Sequence, residues 1–79
     1  MVTYQIVKEQ LQGEDSKEYV SYGIRASRME NNVPEPVAFI SDVFLSEERA
    51  NHFVTLLNRL ELDLIHFPEV VADAVANAM

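Results

Sequence analysis

Between Ser46 and Leu64 the apolar residues Ala50, Phe53, Val54, Leu57, Leu60 and Leu64 recur at steps of three and four, lining one side of an α-helix. Glu47, Glu48, Asn51, Thr55, Asn58 and Arg59 fall on the other side, toward water. Ser46 is placed to cap this helix, because its hydroxyl accepts from a free first-turn amide. Glu47 and Glu48 then meet the positive end of the helix dipole. The spacing predicts a helix over 46–62 that ends or bends near Glu61-Leu62-Asp63, with Asp63 capping the next helical segment. Pro68 has no amide hydrogen and is comfortable only in a first helical turn. A second helix is therefore expected over 67–78, with the stripe Phe67, Val70, Val71, Ala74, Val75 and Ala78.

The first half of the chain alternates with a period of two, as half-buried strands do. Val2, Tyr4 and Ile6 set one face of a strand over 2–11, and Val7 and Leu11 fall on the other. Gly13-Glu14-Asp15-Ser16 reads as a turn in which Gly accepts a positive φ and Asp and Ser bond nearby backbone. A second strand over 17–29 buries Val20, Tyr22, Ile24 and Ala26 and turns Ser21, Gly23, Arg25 and Ser27 the other way. So short a turn implies an antiparallel hairpin. The segment from Glu30 to Pro36, with Asn31-Asn32 and two prolines, reads as a loop. Val37 to Val43 is apolar on both parities, so a third strand over 36–43 is expected to be partly covered on both faces.

Strand, strand, strand, helix, helix describes one small α+β domain over 1–79, a three-stranded antiparallel meander with two helices on one sheet face. That packing leaves a second sheet face carrying Val7, Leu11, Tyr19 and, from the third strand, Phe39. A contiguous apolar patch on a small chain is usually an interface. These four are the candidate interface residues, with the exposed sheet edge as the other route to a dimer.

Composition sharpens this. At 79 residues the chain buries only about 60% of its unfolded surface, so its core is marginal. With no cysteine, neither disulfides nor thiolate metal sites supplement that core, and self-association is the remaining common way to add buried area. The net charge of −7, with only 6 Lys and Arg, argues against a phosphate-tracking surface and hence against nucleic acid. The start of the chain lacks a basic segment followed by an apolar run, and no stretch is long enough to span a bilayer, so the cytoplasm is the expected compartment.

Candidate chemistry is sparse. His52 and His66 lack the His-Glu-x-x-His spacing of a helical zinc site, and Glu48 one turn before His52 reads as a surface pair. Glu69 and Asp73, one turn apart, read as a solvated face rather than a cation site. Ser21, Ser41 and Asp42 have no base-and-orienter relay with either histidine. Gly13 and Gly23 make no phosphate loop, and Tyr4, Tyr19 and Tyr22 fit core or interface packing better than a stacking platform for bases. No enzyme, cofactor or metal is expected.

Asp42-Val43, the stripe ending Val54-x-x-Leu57-Asn58-Arg59-Leu60-Glu61-Leu62, and Ile65-His66-Phe67-x-x-Val70-Val71-x-Asp73 together resemble a family of short bacterial proteins of unknown function. Tyr22-Gly23-Ile24 matches the Tyr-Gly-Ile of that family's strand pair. The chain departs from the pattern at Phe44-Leu45-Ser46, where the family has a Ser-x-Asp helix entrance, and at Pro68, where it has an acidic residue. The resemblance implies a small stand-alone domain and carries over no catalytic or binding residue. The resulting expectation is a non-enzymatic interaction module acting as a homodimer. The alternatives are a small-molecule or peptide binder using a groove between sheet and helices, and an acidic mimic that sequesters a basic partner.

Overall fold

The computed structural model describes residues 1–77. It contains β1 (Val2–Gln12), β2 (Glu18–Glu30), β3 (Val33–Phe44), α1 (Glu47–Arg59), a 3₁₀ turn (Leu64–His66) and α2 (Phe67–Asn77). The sheet is antiparallel in the order β1-β2-β3. The expected α+β arrangement is the observed one. Ala78, expected in the second helix, lies outside the described residues.

The first turn uses its composition differently from expectation. Ser16, not Gly13, takes the positive φ, at 65°. The turn closes through Gly13 N–H to Lys17 C=O at 2.8 Å and Lys17 N–H to the Asp15 carboxylate at 3.1 Å. The loop expected over Glu30–Pro36 is instead a two-residue hairpin. Asn31 and Asn32 both have positive φ (52° and 64°), the conformation of a type I′ turn, and β3 begins at once at Val33. Pro34 and Pro36 therefore lie inside a strand. They are tolerated because β3 is an edge strand: alternation from the closing pair Glu30–Val33 turns both proline nitrogens outward, where no ladder bond is needed.

Two bulges settle which way β3 faces. Ala38 and Ile40 pair with Ala26 and Ile24 on the helix side, and Phe39 pairs with Arg25 on the other. Between Pro36 and Ala38, Val37 is an extra residue and joins the core's margin. Between Ile40 and Phe44, β3 spends three residues where β2 spends only Gly23, and Asp42 turns to φ 56°. Consecutive strand residues normally face opposite ways; the bulge lets Val43 and Phe44 both enter the core.

α1 lies across all three strands, and α2 rests against β3. Ser46 caps α1 as expected, its hydroxyl accepting from Arg49 N–H at 3.3 Å. The helix ends three residues earlier than expected, in a Schellman arrangement: Leu62 N–H reaches Leu57 C=O at 3.1 Å and Glu61 N–H reaches Asn58 C=O at 3.2 Å. Glu61 holds the left-handed position usually given to Gly, at φ 51°. This early stop leaves Leu60, assigned to the buried stripe, 65% exposed. Val75 in α2 is likewise exposed rather than packed. Asp63 precedes the 3₁₀ turn but bonds through its backbone carbonyl, which accepts from His66 N–H, not through its carboxylate.

Tyr4 joins these parts. Its hydroxyl donates to Leu62 C=O at 2.8 Å, and its ring meets the fully buried Phe67 with centroids 5.0 Å apart. Its backbone faces out of the sheet, where Asn58, assigned by its helical spacing to solvent, takes both groups: Tyr4 N–H donates to Asn58 Oδ1 at 2.8 Å, and Asn58 Nδ2 donates to Tyr4 C=O at 2.9 Å. The Asn58 amide thus stands in for one residue of a neighbouring strand.

Candidate functional site

The β1–β2 register is unbroken from Val2 to Gln12, so Thr3, Gln5, Val7, Glu9 and Leu11 share the face opposite the helices with Tyr19, Ser21, Gly23 and Arg25. Phe39 joins them: a Cβ on Gly23 would lie 2.8 Å from the tip of its ring. The four candidate interface residues thus lie on one face. Val7, Leu11 and Tyr19 are half-buried and Phe39 is 48% exposed. The face is less apolar than expected, because charged and polar side chains run between these four.

One group is an acidic seam across all three strands. Glu9 reaches over Gly23 from β1 to β3, accepting from Ser41 Oγ and from Asp42 N–H, each at 2.8 Å. Asp42 accepts in turn from the Tyr19 hydroxyl at 2.8 Å and from Ser21 Oγ at 2.6 Å. Ser21 is fully buried, and Phe44 C=O lies 3.0 Å from the same oxygen. Its single proton goes to the shorter, charge-assisted bond. Every donor on the two carboxylates is neutral. About four residues, or roughly 13 Å, along β2 stands Arg25. It donates to Gln5 Oε1 at 2.8 Å, while its buried Nε has no acceptor.

Sequence reasoning placed Val7, Leu11, Tyr19 and Phe39 on this face and turned Arg25 the same way, but did not single out Glu9 or Asp42. Glu9 was readable from parity, since it stands between Val7 and Leu11. Asp42 was not, because its direction comes from the bulge.

The tyrosines respond to these surroundings. The hydrogen bond to Asp42, then burial and the charges of Asp42 and Glu9, raise the Tyr19 hydroxyl above its ordinary pKa of 10.0. Burial and Glu47 raise Tyr22, and burial and Asp63 raise Tyr4. A folded-state value above the unfolded one means that this stability is fully present below about pH 10 and is lost as pH rises through the raised values. The unfolding midpoint is thus expected to fall above pH 10. Tyr4→Phe, at a cost of about 1 kcal/mol at neutral pH from the lost bond, is expected to fall less steeply. Urea titrations of both proteins from pH 8 to 11 check this, and parallel alkaline limbs would remove Tyr4 from the account.

His52, His66, Glu69 and Asp73 are all exposed, and no group of three or more His, Cys, Asp or Glu side chains is placed to hold a metal ion among the described residues. A groove runs along α1, bordered by Phe44 at the end of β3 and by Ala74 of α2. It is open, of about 570 Å³, with Phe44, Phe53, Leu56 and Ala74 as its apolar lining and Arg49 and His52 among its polar residues. No helix among the described residues is long and apolar enough to cross a membrane.

Fold and face together define a small α+β protein with a helix-covered sheet side and an open side of mixed apolar and charged character. The chain belongs to the family of unknown function DUF6514, which matches residues 1–77. The family resemblance read from the residues stands. Comparison with curated proteins and with solved structures gave no match.

Proposed function

We propose that this chain is a non-enzymatic, cytoplasmic interaction module that acts as a homodimer through the open sheet face. The observation that carries the reading is Phe39, a large aromatic 48% exposed on the same sheet face as half-buried Val7 and Tyr19, opposite the helices. The sheet edges favour the face over edge pairing. Asn58 occupies the β1 edge at Tyr4, and Pro34 and Pro36 remove donors from the β3 edge.

The test is solution mass against concentration, by sedimentation, for the wild type and Phe39→Glu. The wild type is expected to pass from monomer to dimer within the micromolar range, and Phe39→Glu to remain monomeric with an unchanged circular dichroism spectrum. Tyr19→Glu is less clean, since it sets a carboxylate against Asp42. A wild type that stays monomeric to millimolar concentration overturns the reading. The groove along α1, large enough for a small molecule or the side chains of a peptide, would then be the better candidate.

A further inference from the structure

The geometry points to one particular dimer: two copies stacked face to face with strands running in opposite directions, Arg25 of each facing the acidic seam of the other. This rests on the homodimer reading and adds the relative orientation of the copies and the charges that select it.

The open face is electrically divided along the strands. The Asp42 carboxylate lies against Ser21, and the Glu9 carboxylate reaches from the Ser21 pair over Gly23; four neutral donors hold the two, and among the described residues no cation pairs with either. Arg25 stands four residue pairs away, with Gln5 as its hydrogen-bond partner and no carboxylate paired with it among the described residues. The midpoint between the levels of Arg25 and Ser21 is the pair Val7–Gly23.

A two-fold axis through that midpoint, lying between the sheets and perpendicular to the strands, sets the Arg25 level of one copy over the Ser21 level of the other. Each guanidinium then meets the Asp42 carboxylate of the other copy, with that copy's Glu9 carboxylate next to it toward the axis, and the contact occurs twice because the interface is isologous. The axis also crosses where the Phe39 ring covers Gly23, so the two Phe39 rings meet at its centre. An aromatic centre flanked by paired charges is the usual anatomy of a specific interface. The other face-to-face arrangement, with the axis along the strands, sets Arg25 near Arg25 and the acidic seams near one another. Like charges opposed at close range select against it.

The chain has no cysteine, so single cysteines report orientation directly. In the arrangement described, Val7 faces Val7 of the second copy, and Thr3 faces Leu11. Val7→Cys is expected to crosslink on mild oxidation. Thr3→Cys and Leu11→Cys are expected to stay uncrosslinked alone but to crosslink when mixed. In sedimentation, Arg25→Glu is expected to raise the dimer dissociation constant at least about tenfold, with Arg25→Gln between it and the wild type. Raising NaCl from about 50 to about 500 mM is expected to weaken the wild-type dimer several-fold. Circular dichroism confirms that each variant is folded.

A dimer that Phe39→Glu dissociates but that ignores Arg25→Glu, Arg25→Gln and salt overturns this orientation and leaves the homodimer reading intact. Thr3→Cys and Leu11→Cys each crosslinking alone, or Val7→Cys staying uncrosslinked in a folded dimer, does the same. A wild type monomeric at all concentrations overturns both.

Discussion

Phe67→Ala is expected to lose about 3–5 kcal/mol, a large part of the roughly 4–12 kcal/mol available to a chain of this size. Phe67 is fully buried at the first residue of α2 and packs against Tyr4, which is itself bonded to the end of α1 and to the connection at Leu62. Truncation removes a ring that no neighbouring backbone can replace, since Pro68 comes directly after it and constrains how the chain enters α2. Urea denaturation of both proteins at one fixed low concentration, where association contributes least, should show the midpoint falling by about a quarter or more. Val75→Ala, on the exposed side of the same helix, should change it by less than about 0.5 kcal/mol. If Phe67→Ala behaved like Val75→Ala, α2 would not be docked on Tyr4 in solution.

That contrast marks where the sequence is legible. Phe67 and Val71 can be read from helical spacing because α2 has one neighbouring surface and a regular period. Val75 and Leu60 fit the same period yet are exposed, because the period gives a direction and not the length of the surface opposite. Strand parity was readable along β1 and β2, where the register is unbroken, and unreadable along β3, where two bulges shift it. The hairpin at Asn31-Asn32 was written in the turn residues but masked by the prolines after it, whose tolerance depends on β3 being an edge, a property of the sheet and not of the segment. Asn58 shows a related limit at one residue: it is exposed, as helical spacing assigns it, yet only the position of β1 gives its amide two backbone partners. The candidate face was legible in its apolar members. Its charged members depend on Glu9 reaching over a glycine to a bulge, which no local pattern encodes.

Gly23→Ala is expected to destabilise the chain by about 2 kcal/mol, against the usual gain of about 0.5–1 kcal/mol when alanine replaces glycine within a strand. The φ of Gly23 is not positive, so the backbone accepts alanine; the obstacle is space. The new methyl group would lie 2.8 Å from Ile40 C=O, 2.8 Å from the Phe39 ring and 2.9 Å from Glu9 Oε2. The ring and carboxylate can swing aside, but the carbonyl belongs to the β3 backbone and moves only with that strand. A displaced Glu9 also gives up Ser41 Oγ and Asp42 N–H, the bonds that hold the bulge in shape. Gly13→Ala is the comparison: its methyl group meets no atom closer than the Asp15 carboxylate at 3.2 Å, and it should cost well under 1 kcal/mol. Unfolding midpoints of the two variants decide the matter, and a neutral or stabilising Gly23→Ala would mean that Glu9 and Phe39 do not converge over Gly23. Because the methyl group displaces the side chains that would meet the second copy, Gly23→Ala should also weaken dimerisation under conditions where the monomer remains folded. Stability and association thus depend on the same absent side chain.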